Sequence, residues 1–258
     1  MKAVWLSALS VPEQEVRLLM QKMQTYGLSC SGHQWKDDLQ NMAWMGAMDE
    51  LCDPQTAIWA IMGTTEAFQH PETRYGLSLL AICAQARKGA GFPIVILQSG
   101  GDPIPTAELP SPLQRAIVLP AADAGTPAKL VAKAHAKVPE LQSAYHINMV
   151  GNPQFGQWFE VRPTSDVWQG IIFGVDEAEI KFQAVGPGGE LPKTSTLHYP
   201  MQGLQIDFKE KQYAAWAVRN EINMVESYFV KIEGAPGALL FGAFSEESEA
   251  EMYHIQLK

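Results

Sequence analysis

The sequence predicts an α/β domain with a doubly wound, five-stranded parallel sheet, followed by an all-β domain of antiparallel, sandwich-like design. Three observations predict it. Residues 56–62 and 92–97 are strands apolar on both faces, joined by a polar elbow (Gly63, Thr64, Thr65, Glu66) and a long apolar helix over 73–88, the pattern of a βαβ crossover in a buried parallel sheet. Strand and helix patterns alternate as far as residue 141, as a doubly wound sheet requires. Beyond Ser143 short strands follow one another with turn residues between them, which is the pattern of an antiparallel fold. The expected domains are therefore 1–143 and 144–258.

The elements follow in order. Residues 2–9 read as the first strand. Residues 12–26 read as a helix: Pro12 suits its first turn, Glu13 and Glu15 favour its N-terminus, and Val16, Leu19, Met20 and Met23 share an apolar face. Gly27 is a natural residue just past its end. A short second strand is expected over 28–35, and a second helix over 36–51, with Asp37 and Asp38 near its start and Asp53-Pro54 ending it. After the 56–97 unit a proline-rich crossing (Pro103, Pro105, Pro110, Pro112) leads to a fifth strand within 114–120. A last helix starts at Thr126-Pro127 and reaches 141. In the second domain strands are expected at 145–150, 157–161, 167–175, 180–185, 204–208, 228–232, 239–244 and 252–257, with one helical interruption at 212–223. Turns such as Gly186-Pro187-Gly188-Gly189 separate them.

Composition narrows the function. No apolar run approaches the ~20 residues of a membrane span, and the first ten residues make a poor secretory leader, so no membrane partner and a cytoplasmic location are expected. The net charge of −9 comes without any basic stripe, which excludes nucleic acid as an expected partner. Residues 1–143 carry 11 basic and 13 acidic side chains and residues 144–258 carry 8 and 15, so the second half holds about −7 of the total. That half presents a solvated acidic surface or an acidic docking face. Cys30, Cys52 and Cys83 are widely spaced, as in a reducing compartment, and Cys30 alone lies outside a helix pattern.

Parallel sheets bind ligands beyond the carboxyl ends of their strands, which directs attention to the elbow. Gly63, Thr64 and Thr65, with Asp102 past the next strand and Ser10 past the first, are candidate ligand-binding residues. Arg74, at the start of the long helix, offers a guanidinium for a phosphate or carboxylate, or the solvated edge of a buried helix. His33 follows the second strand beside Trp35, Lys36 and Asp37, as a ligand loop or a packed surface loop. Glu66 is the elbow's own carboxylate, a candidate catalytic group or a first-turn helix acid. Glu66, His70 and Glu72 lack metal-ligand spacing, and no metal or cofactor is expected. Trp158, Trp168 and Trp216 with Phe155, Phe159 and Tyr199 are an aromatic platform or, at strand spacing, core.

The order of elements over residues 1–141, the first strand Val4-Trp5-Leu6-Ser7-Ala8-Leu9-Ser10, the third-strand end Ile58-Trp59-Ala60-Ile61-Met62-Gly63-Thr64, and Tyr75-Gly76-Leu77 opening the next helix carry a resemblance. The chain resembles the flavodoxin-like group that contains Toll/interleukin-1 receptor (TIR) domains and nucleoside 2-deoxyribosyltransferases. In the transferases a glutamate two residues before the helix glycine attacks the sugar, and TIR-like NAD-cleaving enzymes also carry their glutamate on this helix. Here Arg74 holds that position, and residues 75–91 contain no acid. The expectation is a domain that binds a nucleotide or small anion. The alternatives are a non-catalytic TIR-like assembly protein, homo-oligomeric, or an enzyme cleaving an N-glycosidic bond with Glu66.

Overall fold

A computed structural model describes residues 1–245 and 251–258, in two compact units, Met1–Leu141 and Gln142–Lys258. In the first unit β1 (Ala3–Leu9), β2 (Ser29–Gln34), β3 (Thr56–Gly63), β4 (Ile94–Gln98) and β5 (Ile117–Pro120) form one sheet in the order β2-β1-β3-β4-β5, with every pairing parallel. The chain leaves β1 toward one edge and β3 toward the other. Right-handed crossovers then put the two connecting helices on opposite faces.

One face is covered by α1 (Glu13–Thr25) and by Thr126–His135. Leu19 and Met23 of the first, with Leu130 and Ala134 of the second, pack on Val4, Leu6, Ile58, Ala60, Met62, Val95 and Leu97. Alternation sends Trp5, Ser7, Trp59 and Ile61 to the other face. That face belongs to α2 (Met48–Cys52) and, beyond the short α3 (Thr65–Gln69), to α4 (Pro71–Lys88), whose residues 75–84 are all buried. Pro71 stands in the first turn of α4, and Gly89, at φ 90°, returns its N–H to the Gln85 carbonyl. The helix at Thr126–His135 is α5.

Four expected helices are corrected here. Residues 36–42 are not helical: Asp38 accepts from both the backbone and the side-chain amide of Asn41, and Met42 turns left-handed at φ 51°, so only a 3-10 turn (Ala43–Ala47) and α2 remain. The long helix begins two residues early, at Pro71, and the elbow's Thr65 and Glu66 open a short helix of their own, α3. α5 stops at His135 because Ala136 is extended, ahead of Pro139.

The fourth lies in the second unit, whose strands are β6 (Tyr145–Asn152), β7 (Gly156–Pro163), β8 (Ile171–Val175), β9 (Glu179–Pro187), β10 (Met201–Phe208), β11 (Lys211–Val218), β12 (Glu226–Glu233), β13 (Ala238–Ala243) and β14 (Tyr253–Gln256). They form two antiparallel sheets, β6-β7-β12-β9 and β10-β11-β8-β13-β14. Ring contacts join them: Phe159 to Phe173 (centroids 6.3 Å apart) and Tyr145 to Phe241 (5.0 Å). Of the segment expected to be helical at 212–223, residues 212–218 belong to β11, hydrogen-bonded on both sides, and residues 219–223 are not helical either. The small residues of β11 fit that place, since a side chain on the neighbouring Gly174 would meet Tyr213 Cβ at 3.1 Å and Ala215 Cβ at 3.3 Å. Among the described residues no helix is long and apolar enough to cross a membrane.

Candidate functional site

A crevice of about 530 Å³ opens at the carboxyl edge of the parallel sheet, on the α1 face. Its sheet side is built from residues at or just past the ends of four strands: Ser10 after β1, Met62 and Thr64 at β3, Ser99 and Gly100 after β4, Ala121 and Ala122 after β5. The β1/β3 junction is where successive connections depart to opposite faces, and such a switch point leaves a gap between the two loops.

The opposite wall is one stripe of α1. Glu15, Leu18, Leu19 and Lys22 stand at i, i+3, i+4 and i+7 and all line the crevice. Leu18 is 50% exposed although Leu19 beside it is core. Glu15 and Lys22 bracket the two leucines about 10 Å apart along the axis, at roughly 1.5 Å per residue. Glu13 pairs with Arg17 at 2.7 Å, whereas neither Glu15 nor Lys22 has an ion-pair partner among the described residues. The crevice thus offers an acid end, an apolar middle and a basic end.

Two features on the sheet side are unusual. Ser10 holds φ 52°, in the left-handed region, a conformation that costs energy for any residue but glycine and that concentrates at functional positions. Ser99 Oγ is shielded from solvent and has no hydrogen-bond partner among the described residues, which is uncommon for a buried hydroxyl.

The loop after β4 is held by one side chain. Gln98, 4% exposed, donates through Nε2 to Thr65 Oγ1 (3.0 Å) and to the carbonyls of Gly100 (3.1 Å) and Asp102, and accepts from Ile104 N (2.9 Å) at Oε1. Gly100 and Gly101, at φ 75° and 72°, make that tight path possible.

Of the residues singled out in the sequence, Ser10 and Thr64 line the crevice and meet there. Thr64 also caps α3, accepting from Ala67 N at 3.4 Å. Thr65 and Asp102 serve the Gln98 network next to it. Gly63 is a packing position, where a Cβ would meet Leu9 at 3.0 Å and Phe68 at 3.2 Å. Glu66 is exposed in the first turn of α3, off the crevice wall, and its own amide and the Thr64 hydroxyl hold its carboxyl below the usual range. Arg74 also lies off the wall. Its guanidinium donates to the Phe68 carbonyl (3.4 Å) at the end of α3 and to the Glu108 carbonyl (2.8 Å), so it ties α3 and the turn at Glu108 to α4.

His33 is on the other face of the sheet. Its Nε2 lies 2.9 Å from Ser7 Oγ, which accepts from Trp59 Nε1 at 3.0 Å. The ring stands edge-on between Trp5 (5.6 Å) and Trp35 (5.9 Å). Burial holds its pKa below the ordinary value. Asp37 accepts from Trp35 Nε1 and Thr73 Oγ1, closing this layer against α4. Burial pushes the Cys30 thiol up to about 11, far from a reactive thiolate. Of the six aromatic residues singled out in the second unit, Phe159 and Trp168 are buried, Trp158 and Trp216 are half-buried, and Phe155 and Tyr199 are exposed.

The α1 stripe and Ser99 were missed by sequence reasoning. The signal available for the stripe was Leu18, an apolar residue next to the predicted core face and flanked at helical spacing by Glu15 and Lys22. No family model matches the chain, and no curated protein matches it.

Proposed function

We propose that the α/β unit is a binding module that holds a nucleotide, or another small ligand with one anionic group, in the crevice at the carboxyl edge of its sheet. The observation that supports this reading is the position and size of the crevice: about 530 Å³ at the junction of β1 and β3, within the usual volume of small-molecule sites. Strand order β2-β1-β3-β4-β5 is the flavodoxin-like order, whose ligands sit at that junction. The walls suit such a ligand. Leu18, Leu19 and Met62 offer apolar surface to a flat ring, Ser10 and Thr64 offer hydroxyls, and Lys22 offers a cation to a phosphate or carboxylate. Glu15 at the other end accepts hydrogen bonds from ligand hydroxyl or amino groups. The carboxylate on this wall is Glu15 rather than Glu66, so the reading is one of binding.

Thermal-shift and calorimetric screening of nucleosides and nucleotides tests it. A ligand at a hundred times its Kd adds about 2.7 kcal/mol of stability. Ala122→Trp, at an exposed position on the crevice mouth, should abolish the shift while leaving the unliganded protein unchanged. Ser10→Gly removes the hydroxyl at a φ that glycine adopts freely and should weaken binding without loss of fold. Lys22→Ala should weaken anionic ligands by about tenfold or less, as for one exposed charge-assisted contact. A shift untouched by Ala122→Trp, or no shift from any compound, rejects the crevice as the site.

A further inference from the structure

The amino edge of the same sheet holds a second, smaller cleft of about 90 Å³. It forms where residues 90–93 lead into β4, residues 112–116 lead into β5, and the chain passes Lys133 of α5 to reach 139–141. Backbone packing fixes its shape. Gly91 lies so close to the Pro139 carbonyl that a Cβ there would fall 2.1 Å from the oxygen, and Gln85 Nε2 donates to the Pro112 carbonyl at 2.8 Å. Phe92, Ile94, Ile117 and Leu141 supply the apolar part of its walls, and Gln85, Arg115 and Lys133 the polar part.

The charged groups that line it are Arg115 and Lys133, both cations. Neither makes a hydrogen bond or ion pair among the described residues. Lys129, one turn before Lys133 on α5, is by contrast paired with Asp123 at 3.0 Å. Glu140, next to Pro139 in the chain, is exposed and outside the lining. Two cations thus line one cleft with no carboxylate among its lining residues, and an anion bound between them would gain from both charges.

We infer that this cleft binds a small organic carboxylate with a short apolar body, its head group on Arg115 and Lys133 and its body against Phe92, Ile94 and Ile117. The cationic pair selects an anion, and the apolar part of the walls favours a hydrocarbon-bearing carboxylate over inorganic phosphate, some of whose oxygens would face carbon there. The volume limits the guest to a few heavy atoms, well below that of the crevice at the opposite edge.

Amide-resolved NMR titration of the full chain with acetate, propionate, butyrate and phosphate at constant ionic strength, with chloride as control, tests the inference. Saturable shifts are expected at the amides of Gly91, Phe92 and Ala116. Affinity should rise from acetate to butyrate by up to about fourfold for each methylene buried. Arg115→Ala with Lys133→Ala should abolish the shifts and leave the remaining spectrum in place, since Arg115 is exposed and Lys133 partly so. Shifts that survive in that double variant, no saturation with any carboxylate, or phosphate binding at least as tightly as butyrate would each overturn the assignment.

Discussion

Ser7 Oγ accepts from Trp59 Nε1 and shares a second hydrogen bond with His33 Nε2, in which the neutral ring donates or accepts according to its tautomer and the charged ring only donates. Burial favours the neutral form, so the folded pKa lies below the ordinary value near 6.5. Between that folded value and 6.5 the unfolded chain binds more protons than the native one. Stability is therefore fully present above pH 6.5 and is lost as pH falls through that window. His146 and His254 are shifted downward by burial as well and act in the same sense. Urea denaturation at pH 7.5 and pH 5 should show a lower midpoint at pH 5, and His33→Asn should shrink that difference without removing it. An unchanged difference in His33→Asn would mean that the ring is uncoupled from folding.

Among the elements, α4 meets the layer above it at one glycine. A Cβ on Gly76 would stand 2.9 Å from Trp35 Cζ2, and that indole cannot swing away freely because its Nε1 is bonded to Asp37 at 2.8 Å. Gly→Ala inside a helix ordinarily gains up to about 1 kcal/mol, whereas overpacking a rigid core costs about 1–3 kcal/mol. Gly76→Ala should therefore destabilise the fold by roughly 1 kcal/mol, read as a lower urea midpoint at constant slope. A stabilised variant would show that Trp35 yields. The same contact explains what the sequence could and could not reveal. β1, β3 and β4 were legible because both faces of each are apolar, a purely local signal. Residues 36–42 looked helical, but Asp37 accepts from Trp35 and from Thr73, and Asp38 accepts from Asn41, and of these partners Thr73 lies on another element, α4. β11 looked helical because Ala214, Ala215 and Ala217 favour helix, and only the neighbouring strands override that preference. At the crevice, Ser10 and Thr64 were legible from strand ends alone. Lys22 was not, because it lies two turns into a helix whose groove depends on how the loop after β5 packs.

For the molecule as a whole, the parallel sheet belongs to one continuous segment of the chain, Met1–Leu141. All five strands, both helix layers, the crevice and the smaller cleft are built from residues 1–141, a length typical of an independent domain. A fragment ending at Leu141 should unfold cooperatively and keep the amide shifts of core residues such as Ile58 and Leu97, and it should retain the carboxylate response at Gly91. A fragment that binds hydrophobic dye and shows collapsed amide dispersion would reject that independence. The charge balance adds a second expectation for the same fragment. With 11 basic and 13 acidic side chains it carries −2, against −7 for the rest of the chain. Net charge near zero promotes association. Just below neutral pH the fragment should precipitate at concentrations where the full chain stays clear, and light scattering on the two proteins in the same buffer measures the contribution of the β unit's negative charge.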